Sequence, residues 1–196
     1  MNRAIHLLRV GDGVDLETLD TLAAELAGVF QLSCKVREEV IDPGPAYDEK
    51  RNQYFSSAIL RQMAGLGAPP EILLLGITAV DLFVPVLTFV FGEAQLSGNG
   101  ALVSIHRLRD EFYGLPPREE LLEERLAKEA AHELGHTFGL RHCADWRCVM
   151  SSSHAVEVMD IKGTDFCAAC QKLKKGTDAF FFAAGIDASV PFLVQQ

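Results

Sequence analysis

The sequence predicts an α/β domain with a mixed sheet, and three observations predict it. Strand-like and helix-like apolar patterns alternate from Ala4 to Thr78. A hairpin signal, Ser97-Gly98-Asn99-Gly100, then introduces antiparallel pairing. A long helix pattern from Arg118 to Gly139 follows, introduced by Pro116-Pro117.

The elements can be justified in order. Ala4 to Val10 reads as a first strand, and Gly11-Asp12-Gly13 as the turn after it. Asp15 is placed to cap a helix running to Phe30, because Leu16, Leu19, Leu22, Ala23, Leu26 and Val29 recur at steps of three and four. Gln31 to Ile41 reads as a second strand, broken by Asp42-Pro43-Gly44-Pro45. Asp48 to Met63 reads as a second helix closed by Gly65 and Gly67. Ile72 to Thr78 has no polar alternation, which suits a strand buried on both faces. Pro85 to Phe91 and Ala101 to Leu108 read as two further strands, with Pro85 to Phe91 either the sheet edge, which Pro85 would suit because it cannot donate to a ladder, or simply buried. Glu119, Glu120, Glu123 and Glu124 crowd the first turns of the long helix, where negative charge complements the helix dipole. No internal repeat or linker interrupts the 196 residues, so a single domain is expected over 1–196. Residues 1–139 form its N-terminal subdomain and residues 140–196 its C-terminal one.

Composition excludes some function classes. With 48% apolar and 23% charged residues the chain is ordinary for a globular protein, but its formal net charge is −9. An acidic surface lacks the basic footprint that phosphate backbones and anionic membranes require, so neither nucleic acid nor membrane is an expected partner. Ile72 to Phe91 is apolar enough to resemble a span but holds Gly76, Asp81 and Pro85, and it reads as buried strands. Met1 to Val10 has neither the unbroken apolar core nor the cleavage site of a signal peptide, so a cytoplasmic location and a monomer are expected.

The chemistry concentrates in His132-Glu133-Leu134-Gly135-His136-Thr137-Phe138-Gly139-Leu140-Arg141-His142. Histidines four apart on a helix share a face and can reach one zinc at Zn–N distances of roughly 2.0–2.1 Å. Glu133 is then placed outside the ligand set, facing a metal-bound water as general base. Gly139 can take left-handed dihedrals at the helix end and turn the chain so that His142 returns to the metal. Three histidines leave a fourth position open, as catalytic zinc sites do. Leu122, Leu126, Ala130, Leu134 and Phe138 form the opposite, apolar stripe. His6, His106 and His154 have no such context and read as structural or exposed.

Four of the five cysteines follow closely: Cys143, Cys148, Cys167 and Cys170. Two such pairs can enclose a tetrahedral thiolate zinc; two disulfides, inert buried thiols or a redox Cys-x-x-Cys are the other readings. Reduced cytoplasmic surroundings favour the metal. Cys34 lies apart and reads as a small buried apolar residue.

From His132 to Cys170 the pattern HExxHxxGxxHC, then Cys148-x-Met150 and Cys167-x-x-Cys170, resembles the archaemetzincins, zinc metallopeptidase-like proteins of the metzincin clan. Gly76-Ile-Thr-Ala-Val-Asp81-Leu and Phe89-Val-Phe-Gly92-Glu-Ala are similar to the family as well. The Met150–Cys167 spacing is roughly one residue shorter than the family pattern, a change that a loop tolerates. The resemblance implies two zinc ions: a catalytic one on His132, His136 and His142, and a structural one on Cys143, Cys148, Cys167 and Cys170. It implies that Met150 is the methionine of the Met-turn, flooring the histidines; on composition alone Met150 would be a core filler. It implies a mixed five-stranded sheet, an active-site helix and a small C-terminal lobe stapled by the cysteine zinc, with a cleft between the lobes. The expected function is hydrolysis of peptide bonds in a peptide or protein substrate, with Glu133 taking a proton from water and delivering it to the leaving amine. A catalytically silent zinc protein that binds peptides, and a cysteine-based zinc or redox sensor, are the readings from other classes.

Overall fold

The computed structural model describes residues 3–177 and 192–194. Strand β1 (Ala4–Val10) leads to helix α1 (Leu16–Phe30), and β2 (Ser33–Ile41) returns beside β1. The Asp15 side chain accepts from the Thr18 amide at 2.7 Å, so the expected cap is in place. Two short strands, β3 (Tyr47–Asp48) and β4 (Gln53–Phe55), precede helix α2 (Ser56–Ala64). Strand β5 (Ile72–Thr78) is followed by the short β6 (Leu82–Phe83), then by β7 (Gly92–Gln95) and β8 (Gly100–Ser104). Helix α3 (Glu119–Thr137) leads to the shorter helices α4 (Val156–Ile161) and α5 (Ala168–Thr177), and β9 (Phe192–Val194) comes last.

The main sheet runs β2-β1-β5-β8-β7-β9. The β1–β2, β1–β5 and β5–β8 pairs are parallel, and β7 is antiparallel to both β8 and β9. The first five strands make the mixed sheet anticipated from the sequence, and β9 extends it on the outer side of β7. Residues of β1 and β5 alternate between two cores. Ile5, Leu7, Leu73, Leu75 and Ile77 face α1 and α3, whereas Leu8, Val10 and Leu74 face Ile59, Leu60 and Met63 of α2. That double cover explains the unbroken apolar run of β5. The span-like segment is therefore strand and loop, and among the described residues no helix is long and apolar enough to cross a membrane.

Two expected elements differ. Asp48 does not start a helix: its Oδ1 accepts from the amides of Lys50 and Arg51 at 2.9 and 3.1 Å, which folds a turn between β3 and β4 and delays α2 to Ser56. Pro85 to Phe91 is not a strand, and the sheet strand is Gly92–Gln95 instead. The Leu87 amide bonds to the Val84 carbonyl across a turn, with Pro85 at the corner. The Leu87 and Thr88 carbonyls are taken up by Arg51 (2.6 Å) and Gln53 (3.0 Å), so side chains satisfy the backbone that a ladder would have used.

Candidate metal centres

Helix α3 lies against β7 and β8 with Leu126, Ala130, Leu134 and Phe138 buried and the histidines on its other side. It ends at Thr137. Gly139 has φ +79°, its amide bonds to the His136 carbonyl (2.8 Å), and the Leu140 amide bonds to the Gly135 carbonyl (3.1 Å). This pair of bonds is a Schellman end, which needs a residue without a Cβ penalty at the left-handed position. The chain reverses there and brings His142 back over the helix.

The three imidazoles converge. Ring centroids are 4.7 Å apart for His132–His136, 5.4 Å for His132–His142 and 5.2 Å for His136–His142, and one ring nitrogen of each lies within 4.8 Å of the others. His132 Nδ1 is 2.8 Å from the Val149 carbonyl and His136 Nδ1 is 2.7 Å from the Leu140 carbonyl. A carbonyl only accepts, so both Nδ1 atoms donate and both Nε2 atoms carry lone pairs. Those two Nε2 atoms lie 3.0 Å apart. Facing lone pairs at that distance fit a shared cation, since tetrahedral zinc at about 2.05 Å sets its nitrogens roughly 3.3 Å apart. Burial lowers the pKa of His132 well below the ordinary histidine value and takes His136 down to about 4; His142, on the exposed side, is lowered too, first by burial and then by Lys162. All three are held in the neutral, ligating form.

Glu133 is fully buried, and neither carboxylate oxygen has a hydrogen-bond partner among the described residues. Burial, then the charges of Glu129 and Glu93, push its pKa well above the usual carboxylate range, while Lys162 pulls it down. Its side chain rests on Gly92 of β7: a Cβ there would meet Glu133 Cγ at 2.7 Å and the Leu102 carbonyl at 2.8 Å. Gly92→Ala is therefore expected to displace the carboxylate. Peptide turnover should fall at least about ten-fold with zinc content unchanged and stability lower by roughly 1–3 kcal/mol, as metal analysis and thermal melts of one preparation would show.

Met150 is fully buried, and its Sδ packs against the Cα face of Gly135, the glycine inside the histidine motif. The cysteines cluster alongside. All four Sγ atoms lie within 4.8 Å of one another, no disulfide joins them, and Cys143 and Cys167 sulfurs are 3.8 Å apart. Tetrahedral zinc at about 2.3 Å sets its sulfurs roughly 3.8 Å apart, so this set also fits a zinc ion. The Cys167 pKa is lowered to about 7, first by a backbone hydrogen bond from Cys170, whereas burial raises Cys148 and Cys170. Cys34 is half-buried and is not part of this cluster, and burial raises its thiol pKa to about 11.

The two clusters share one stretch of chain. Cys143 follows His142, its amide donates to the Met150 carbonyl (2.9 Å), and Val149, whose carbonyl orients His132, lies between Cys148 and Met150.

The model of peptidase family M54 matches residues 46–175. The chain belongs to that family, and with it to the archaemetzincins. An archaemetzincin of Methanocaldococcus jannaschii is 43% identical over 163 residues, covering 83% of this chain and 88% of the relative. One from Thermococcus kodakarensis is 47% identical over 128 residues, covering 65% and 69%. Among solved structures, an archaemetzincin of Archaeoglobus fulgidus in complex with malonate superposes with a TM-score of 0.74 at 35% identity, covering 87% of this chain and 99% of that one. A zinc-dependent peptidase of Methanocorpusculum labreanum gives 0.80 at 30% identity, covering 87% and 100%. The chain is thus a zinc metallopeptidase of the archaemetzincin family.

The sequence reading gave no role to four residues around the archaemetzincin site, although two of them, Gly92 and Glu93, lie in a segment similar to the family. Glu129, fully buried with its pKa raised to about 7 by burial, precedes Glu133 by one helical turn. Glu93 is buried on the opposite face of β7 from Gly92, with Oε1 accepting from Ser57 Oγ at 2.6 Å. Lys162 is buried and donates to the Ser151 carbonyl (3.2 Å), just past Met150. Gly92 forms the seat of Glu133. The four-residue step from Glu129 was a readable signal; nothing in the sequence places Lys162.

Proposed function

We propose that this archaemetzincin hydrolyses peptide bonds with Glu133 as general base, and that its catalytic zinc is held by His132, His136 and His142. The observation that carries this reading is a buried carboxylate whose two oxygens have no partner among the described residues, set one residue from the first of three converging neutral imidazoles. When bound there, zinc supplies Lewis acidity, lowering the pKa of a coordinated water to about 7 and polarising the scissile carbonyl. Glu133 accepts the proton from the attacking water and hands it to the leaving amine nitrogen. Val149 and Leu140 hold His132 and His136 in one tautomer, and Met150 fills the floor beneath them.

A second zinc would be held by Cys143, Cys148, Cys167 and Cys170 and would tie the C-terminal subdomain to the sheet and helices of 1–139, the two parts forming one catalytic domain. The substrate is a peptide or protein, and the enzyme acts as a cytoplasmic monomer.

Zinc content of protein made without chelator tests the assignment, measured beside His136→Ala and Cys167→Ser. The expected result is two zincs per chain, with one lost in each variant or the fold lost in the second. One zinc per chain, insensitive to His136→Ala, overturns the histidine site. Hydrolysis of a mixed peptide library by the wild type, abolished in Glu133→Gln, is the matching activity result. Library binding without turnover in either protein would replace it with a silent peptide-binding site.

A further inference from the structure

We infer that the chain's own residues Phe192–Val194 act as an intramolecular competitor for the strand edge beside the active site. The inference rests on the peptidase reading above. Strand β7 borders the site directly: Gly92 seats Glu133, and the Ser97 amide just beyond the strand donates to the His136 carbonyl at 2.9 Å. One edge of β7 is used by β8. The other edge, which would take an extended peptide by strand addition, is occupied by β9 in antiparallel register: Val194 opposite Glu93, Leu193 opposite Ala94 and Phe192 opposite Gln95. The pairing begins one residue from the seat of the general base. Among the described residues no other segment pairs with that edge.

Three residue pairs make a short ladder, and the segment is reached from the end of α5 at Thr177 through 14 intervening residues. A strand that short is held mainly by its tether and is displaceable by a peptide that pairs over a longer stretch. The opposite sheet edge offers no comparable site. There β2 carries Lys35, Arg37, Glu38 and Glu39, charges that discourage strand pairing. Phe192, Leu193 and Val194 carry no charge.

The test uses the zinc-loaded full chain beside a variant ending at Pro191 and a Leu193→Pro variant, which keeps the chain length but disrupts the ladder. Amide exchange at Glu93–Gln95 should quicken in both variants. A tethered strand competes at an effective concentration in the millimolar range, so KM for a fluorogenic peptide library is expected to fall roughly five-fold with kcat unchanged. Adding the peptide Pro191–Gln196 in trans should restore the higher KM. Faster exchange with KM unchanged in both variants overturns the inference and leaves β9 as an edge cover only. Binding of the same library to Glu133→Gln chains, with and without the truncation, separates the two readings. Several-fold tighter binding after truncation supports the competitor even when no wild-type turnover is found, an outcome that would overturn the peptidase mechanism alone. Equal binding overturns the competitor.

Discussion

Cys170→Ser is expected to lower the melting temperature by at least 10 °C and to weaken zinc at the histidines as well. Cys170 is buried, and its sulfur lies with those of Cys143, Cys148 and Cys167 in a set that spans 28 residues of sequence with little regular structure. Only the short helix α4 and the start of α5 interrupt the loops between Leu140 and Cys170, so apolar burial alone holds this part weakly. Structural zinc contributes on the order of 10–16 kcal/mol in small zinc-finger peptides. Losing one of four thiolates at a cost of at least about 5 kcal/mol converts to a drop of roughly 10–20 °C for a chain of this length. The second effect follows from the shared backbone. The Cys148–Met150 stretch supplies the carbonyl that orients His132 and the thioether that packs against Gly135, between His132 and His136, and Cys143 is covalently next to His142. Disturbing such an outer partner typically lowers metal affinity by about 10–100-fold. A chelator titration should therefore strip the histidine zinc from the variant at a roughly 10–100-fold lower chelator strength than from the wild type. A melting temperature within 5 °C of wild type, with that zinc retained at wild-type affinity, would mean that the four sulfurs do not hold a metal.

The residues that were legible in the sequence are those whose job is local. His132 and His136 share a helix face because of the helical repeat, and Gly139 announces its turn because only glycine takes that backbone at no cost. The apolar stripe of α3, the Asp15 cap and the Ser97–Gly100 hairpin are local in the same sense. What was missed depends on partners far along the chain. Asp48 captured two amides of its own turn, and the Arg51 and Gln53 side chains took the carbonyls of Leu87 and Thr88, 36 and 35 residues on. Period-two patterning cannot anticipate such competition, so Pro85 to Phe91 looked like a strand. Glu93 and Lys162 were unreadable for a related reason: each is buried only because α2 or the loop after Met150 folds over it. The archaemetzincin resemblance covered the candidate ligands of both sites, and its Gly92-Glu-Ala segment included Glu93, but it assigned no role to these flanking charges.

Glu133→Gln is expected to reduce peptide turnover by about 10²–10⁴-fold while leaving both zincs in place and the protein more stable. The activity loss follows from removing the proposed proton acceptor, whose positioned transfer would contribute that range of acceleration. Zinc is retained because Glu133 is not among the three converging nitrogens, and glutamine preserves the shape that fits over Gly92. The stability gain is the discriminating part. A fully buried carboxylate with no hydrogen-bond partner among the described residues, and with Glu129 and Glu93 nearby, is costly to keep in the folded chain. Removing its charge should return about 1–3 kcal/mol, visible as a higher melting temperature. A residue kept for packing would show the reverse, with stability falling on substitution. Higher stability with turnover lost is the signature of a group retained at the fold's expense for its chemistry. Lower stability with turnover unchanged would reassign Glu133 to the core and force the search for a base elsewhere, with Glu129, one helical turn away, the first to replace.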